Sequence, residues 1–271
     1  VLTISNVTQN KLIIINFKPI INNIICNSLG GGDVTAPLTA ERGSSVFIRA
    51  GAFGGNVIDA ITLNEETVAL AKNYSSYVLI VENIEDNVEV TVSFKPLAGE
   101  NPQSVNILQS GGLVNGSSGN YTATVWDNIS AMVLITAPQY HYVASITGQS
   151  LPQGAREYAL EINKADGVYD IYVEYEGEEY AVDLVHGGNG EAEILVNGGG
   201  GFEPSASARY GDTIRIVFTP DTGYCVDYIK INGQIRTDYQ GGDHYDYTGF
   251  AQDQSIEVAY RLIQFAVNTE V

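Results

Sequence analysis

The chain has 271 residues, 44% hydrophobic and 10% aromatic, with 17 Tyr but only 17% charged residues, so it holds enough apolar material to fold. Thirteen Lys plus Arg against 32 Asp plus Glu give a formal charge of -19, a field that repels phosphate backbones and anionic headgroups; neither nucleic acid nor a membrane surface is an expected partner. No apolar run approaches the roughly 20 residues that span a bilayer, so no membrane insertion is expected.

The first stretch, VLTISNVTQNKLIIINFKP (1 to 19), aligns without a gap to VLIVENIEDNVEVTVSFKP (78 to 96), sharing Val1/Val78, Leu2/Leu79, Asn6/Asn83, Asn10/Asn87, Phe17/Phe94, Lys18/Lys95 and Pro19/Pro96. In the later copy this stretch closes a longer unit. Residues 1–19 are therefore expected to be the terminal strand pair of a partial module. Further on, GSSVFIRAGAFGGNVIDAITLN (43 to 64) aligns without gaps to GDTIRIVFTPDTGYCVDYIKIN (211 to 232), pairing Val46/Ile214, Ile48/Ile216, Ile61/Ile229, Leu63/Ile231 and Asn64/Asn232. Residues 129–149 form a looser middle copy in which Ile146 and Gly148 match Ile231 and Gly233.

A closing run recurs as VEVTVSF (88 to 94), YDIYVEY (169 to 175) and SIEVAY (255 to 260). Its alternation is that of a strand with one face in a core and one in water. A strand followed by glycines recurs upstream as IICNSLGGG (24 to 32), VNILQSGG (105 to 112) and EILVNGGGG (193 to 201), and such glycine runs permit tight reversals. One stretch of good helix formers, Glu65–Lys72, is a helical candidate of about two turns. Repeats decide architecture. The prediction is an all-β chain of three tandem β-sandwich-like modules, Ig-like or β-grasp-like, in an elongated array: 20–97, 98–178 and 179–262, with an extra C-terminal strand at 263–271.

The phase of the repeat also sets an expectation about the ends. The chain begins at Val1 and its single Met is Met132, so an upstream segment is expected to have been removed. Unpaired edge strands are templates for pairing with another chain. Leu12, Ile13, Ile14, Ile15 and Phe17 at one end, with Ile263, Phe265 and Val267 at the other, are thus expected to form inter-subunit strands with copies of the chain or neighbouring modules.

Gly211-Asp212-Thr213-Ile214-Arg215-Ile216, then Pro220, Gly223-Tyr224, Val226, Ile229, Ile231-Asn232-Gly233 and the closing Ile256-Glu257-Val258, resemble the divergent InlB B-repeat family of bacterial surface proteins. The first module keeps the leading strand and Asn64 without the Pro and the Gly-Tyr, and the middle one is fainter. The resemblance covers about 50 residues per module. It implies an all-β or β-grasp-like fold and a secreted bacterial protein, often a multi-module stalk or adhesin, and it implies no catalytic residues.

The residues themselves offer little catalytic chemistry. Of the three histidines, His141 falls in the middle module and His186 and His244 in the third, in no metal-ligand spacing, and no nucleophile elbow, P-loop or CxxC occurs. Cys26 and Cys225 lie in different repeats and are read as small hydrophobes. In TDYQGGDHYDYTG (237 to 249), Asp238, Asp243 and Asp246 could hold calcium through hard oxygen ligands, but the spacing matches no EF-hand or nonapeptide pattern and a solvated acidic turn is the favoured reading. Tyr239, Tyr245 and Tyr247 could stack on sugar faces, or pack across strands. Trp126, the sole tryptophan, is read as core. Sequons at Asn6, Asn73, Asn115, Asn120 and Asn128 are few enough to arise by chance.

The expected function is that of a non-enzymatic extracellular structural repeat protein without a cofactor, either a surface stalk or adhesin or the subunit of a filament assembled head to tail by β-strand exchange. A module binding surface glycans and a phage or virion fibre component are the alternatives.

Overall fold

The computed structural model describes residues 18–97, 101–164 and 169–264. Among these the chain is all-β, a set of mixed sheets with no α-helix. Leu12, Ile13, Ile14, Ile15, Phe17, Phe265 and Val267 lie outside the described residues. Among the described residues two compact units are distinguished: 18–97, 101–106, 122–134, 159–164 and 169 in the first, and 107–121, 135–158 and 170–264 in the second. Segment 20–97 thus falls wholly in the first unit and 179–262 wholly in the second, while 98–178 contributes to both.

Segment 20–97 forms β1 (Ile21–Leu29), β2 (Gly32–Thr35), β3 (Thr39–Glu41), β4 (Val46–Ala52), β5 (Asn56–Leu63), β6 (Glu66–Thr67), β7 (Asn73–Val81) and β8 (Val88–Pro96). One sheet has the order β3-β1-β8-β5-β6, and β2, β4 and β7 neighbour one another in a second. Alternation decides the faces: Val88, Val90 and Val92 of β8 and Val46, Ile48 and Ala50 of β4 point into one core with Ile24, Ile58, Ile61 and Tyr74. β8 runs parallel to β1, in register from Ile24↔Val88 to Leu29↔Ser93. Its other neighbour, β5, is antiparallel with a bulge between Ile58 and Ala60.

At the end of β5 the chain reverses through Asn64 and Glu65, at φ 49 and 69. Here the structure corrects the helical candidate: Glu66–Thr67 return as β6 against Leu63 and Thr62. Left-handed backbone at two successive residues forbids a helix start there, and Val68 and Leu70 pack against the core instead. Asn64 also grips the closing strand, its N–H donating to the Glu89 carbonyl and its Oδ1 accepting from the Glu89 N–H, both at 2.8 Å.

The middle segment contributes β9 (Gln103–Gln109), β10 (Leu113–Val114), β11 (Ser117–Ser118), β12 (Tyr121–Val125), β13 (Ile129–Thr136), β14 (His141–Ile146), β15 (Glu157–Ile162) and β16 (Asp170–Gly177). Its four-stranded sheet is ordered β12-β9-β16-β14. β14 meets β16 antiparallel, with a bulge between Val143 and Ser145. Thr147 takes the role of Asn64: its N–H donates to the Tyr172 carbonyl at 3.1 Å and its Oγ1 accepts from the Tyr172 N–H at 3.0 Å. In the first unit β13 also pairs with β7 in parallel, Ile129↔Asn73 to Ala131↔Ser76, with a register shift between Ser130 and Ala131. The Ser75 hydroxyl fills that irregularity, reaching the Thr124 and Ser130 carbonyls at 2.9 and 3.3 Å.

Segment 179–262 forms β17 (Glu179–His186), β18 (Gly190–Val196), β19 (Gly199–Glu203), β20 (Ser205–Arg209), β21 (Ile214–Pro220), β22 (Tyr224–Ile231), β23 (Gln234–Ile235), β24 (His244–Tyr247) and β25 (Gln254–Leu262). Its sheets run β20-β17-β25-β22-β23 and β19-β18-β21-β24, the first repeating the order of β3-β1-β8-β5-β6. β17 and β25 are parallel, from Val182↔Gln254 to His186↔Val258. The bulge recurs between Val226 and Tyr228, the positions aligned with Ile58 and Ala60. Beside it, Asp227 pairs with Arg261 at 3.2 Å as Asp59 pairs with Lys95 at 2.8 Å. Asn232, at φ 50, makes the same two 2.8 Å bonds to Ser255 that Asn64 makes to Glu89.

A glycine packed beneath an aromatic ring is also repeated. The Gly32 Cα faces the Phe94 ring, Gly112 faces Tyr175 and Gly190 faces Tyr260, so closely that an added Cβ would collide in each case. This placement corrects the glycine alignment in the third segment. The strand equivalent to β1 is β17, followed by Gly187, Gly188 and Gly190; EILVNGGGG is instead β18 with its turn. The longer glycine run belonged to a hairpin, whereas the seam needs one glycine, where the ring presses on the backbone.

Phe94 has no hydroxyl, the Tyr260 hydroxyl donates to the Glu191 carbonyl, and the Tyr175 hydroxyl is buried with no partner among the described residues. A buried unpaired hydroxyl costs about 1–3 kcal/mol. Tyr175→Phe is expected to stabilise the chain by about 1 kcal/mol, read as a higher urea midpoint. Burial pushes the Tyr175 and Tyr260 phenols up to about 12 from an ordinary 10.0. Because the folded values exceed the unfolded ones, their contribution is fully present below about 10 and is lost as pH rises through about 12. Circular dichroism on alkaline titration should show that loss, reduced in Tyr175→Phe.

Candidate functional site

In segments 20–97 and 179–262 the first and last strands are parallel neighbours in the middle of a sheet. Side chains tie this seam at its entry. The Asn23 N–H donates to Asn87 Oδ1 at 2.8 Å, and in the third segment the Ala181 N–H donates to Asp253 Oδ1 at 2.9 Å. Asn87 and Asp253 each stand immediately before the closing strand, so the residue that starts that strand's run also caps the first strand. Asn64 and Asn232 hold its other edge.

The geometry has a mechanical consequence. A pull applied to the two ends of segment 20–97 would enter β1 at its N-terminal end and leave β8 at its C-terminal end. In a parallel pair those ends are opposite, so the pull runs along the strands and across their evenly spaced hydrogen bonds. The bonds are loaded together, in shear, and must fail together.

The acidic loop residues each have a separate partner. Asp246 takes a two-pronged bond from Arg215, at 2.7 and 2.8 Å, which holds its carboxyl below the usual range. Asp238 accepts from the Tyr245 hydroxyl at 2.9 Å and Asp243 faces His244 Nδ1 at 2.7 Å, and these contacts lower both carboxyls. Among the described residues no group of three His, Cys, Asp or Glu is placed to hold a metal ion. The loop tyrosines are engaged in packing: Tyr245 is only 8% exposed, the Tyr239 ring stands edge-on to Phe218, and Tyr247 stacks on Phe250. Ile263, of the expected inter-subunit set, donates its N–H to the Gly223 carbonyl at 2.8 Å. Cys26 and Cys225 are half-buried and in no disulfide. The histidines stay apart, His141 against the Gln139 carbonyl, His186 beside Gly187 and His244 on Asp243.

Sequence reasoning missed a recess in the first unit, about 550 Å3 in volume, lined by Trp126, Asn73, Asp127, Asn128, Ser130 and Asn163, with Lys72 and Lys164. Trp126 and Ile129 close the hairpin between β12 and β13 through reciprocal backbone bonds of 3.0 and 3.2 Å. The indole is therefore half-buried at a hairpin end. Asp127-Asn128 between two apolar runs was the available signal, since Asp and Asn mark turns.

No protein-family model matches this chain, and no curated protein matches it in sequence.

Proposed function

We propose that this chain is a non-enzymatic extracellular structural repeat protein, a surface stalk whose units transmit tension along the polypeptide. The observation that carries this reading is the parallel seam between first and last strands, present in both outer segments with the same bulge, the same asparagine grip and the same Asx cap. A unit selected only for compactness has no need to put its entry and exit strands side by side in shear. The parallel backbone pairing of β13 with β7 extends hydrogen bonding from segment 20–97 to its successor within the first unit. The -19 charge suits a solvated surface rather than a polyanion partner. The resemblance of residues 211–258 to the InlB B-repeat family agrees with a bacterial cell-surface setting.

Protease shaving of intact cells of the source organism tests the location. Peptides from 20–264 released without lysis are the expected result. Recovery of the chain only after lysis would overturn the extracellular reading.

A further inference from the structure

We propose that the Trp126 recess is a carbohydrate subsite that takes a neutral pyranose ring of a glycan, its C–H face on the indole and its hydroxyls on the surrounding side chains. This goes beyond the stalk reading and does not rest on it. The recess, at about 550 Å3, has the size of small-ligand pockets. Its polar lining includes the exposed carboxamides of Asn73 and Asn128, groups that can both donate and accept. A sugar hydroxyl needs the same duality from its partner. The apolar lining is the Trp126 indole with Ala71 and Ile129, and the indole is the ring with the broadest face for a sugar's C–H surface.

The lining is also held in place before any ligand arrives. Ser130 is 4% exposed, and its hydroxyl donates to Asn163 Oδ1 at 2.5 Å. The same oxygen accepts from Lys72 Nζ at 3.0 Å, which fixes the orientation of the carboxamide. The backbone that carries Trp126 is fixed by its pairing to Ile129. A prepared site loses less entropy on binding than one that must be ordered.

Charge selects the sugar class. Both lysines are neutralised, Lys72 by Glu161 at 2.5 Å and Lys164 by Asp127 at 2.8 Å. Neither cation is left to recruit a carboxylate or sulfate, and the -19 field of the chain disfavours acidic glycans further. A second recess of about 480 Å3 shares Ala71, Lys72 and Asn73 with the first, so a glycan longer than one ring can extend across it.

The chain has one tryptophan, so its fluorescence reports on this recess alone. The test titrates the full chain with the methyl glycosides of galactose, glucose and mannose, with N-acetylglucosamine and with sialic acid, alongside a glycan array. A saturable change in Trp126 emission with at least one neutral sugar is expected, with affinity weakened at least tenfold in Asn73→Ala and in Asn128→Ala. Both residues are exposed, so these variants keep the fold, checked by unchanged circular dichroism. Array binding should be lost in Trp126→Ala. Flat emission with every neutral sugar, a response to sialic acid only, or undiminished binding in both asparagine variants would overturn the proposal.

Discussion

Gly32→Ala is expected to destabilise the seam of segment 20–97 by about 3 kcal/mol, on the order of a hundredfold loss of amide protection in β1 and β8. The cause is steric. A Cβ at Gly32 would lie 2.6 Å from the Gly51 carbonyl oxygen as well as against the Phe94 ring. Pairing of β2 with β4, Gly32↔Ala52, leaves that carbonyl little room to retreat. Gly112→Ala and Gly190→Ala should act alike, since their Cβ atoms would lie 2.7 Å from the Thr136 carbonyl and 2.9 Å from Pro220 Cα. Gly188→Ala is the internal control: nothing lies within 4 Å of its added Cβ, and a change within about 0.5 kcal/mol is expected. Native-state hydrogen exchange suits a chain of several units better than one global midpoint. Unchanged protection in Gly32→Ala would remove the glycine–aromatic contact from the account.

Asn232→Ala is expected to cost about 3 kcal/mol, and Asn232→Gly about 2 kcal/mol. Three effects combine in the alanine variant. A left-handed residue, at φ 50, loses a side chain that tolerates that conformation, worth about 1 kcal/mol. The Ser255 N–H loses its 2.8 Å acceptor. Gln254, only 2% exposed, loses the donor that reaches its Oε1 at 3.2 Å, which leaves a buried carbonyl oxygen unpaired. Glycine restores the backbone freedom but neither hydrogen bond, so the gap between the two variants isolates the conformational share. Native-state hydrogen exchange of the amides in β22 and β25 provides the readout. Equal stability of all three proteins would show that the asparagine is only a turn former.

Much of the fold was legible because a strand's two faces are written in its alternation. In VEVTVSF the valines at 88, 90 and 92 could only face inward together, and they do. The ungapped match of 43–64 to 211–232 carried over to the position of a bulge. Pairing order was not legible, because β1 and β8 meet across more than sixty residues and nothing local encodes which strands become neighbours. The Glu65–Lys72 misreading has the opposite cause: good helix propensity was overridden by two left-handed residues at a turn. Glu66 and Thr67 had to reverse onto β5. Asn64 and Asn232 were visible as turn residues, yet their hold on the closing strand depends on where that strand docks. Trp126 was misjudged for a similar reason. Hydrophobicity assigns an indole to a core, but only tertiary packing decides whether its outer face is covered.

Resistance of the parallel seam to tension is most directly tested by pulling the same hydrogen bonds in two directions in a single-molecule force instrument. Handles at positions 20 and 97 load β1 and β8 from opposite ends. Handles at 29 and 97 grip both strands at their C-terminal ends, so the pairs from Ile24↔Val88 to Leu29↔Ser93 open one after another. An unfolding force several-fold higher is expected for the first geometry, falling toward the second when Asn87→Ala removes the cap on Asn23. Equal forces in the two geometries would contradict that expectation.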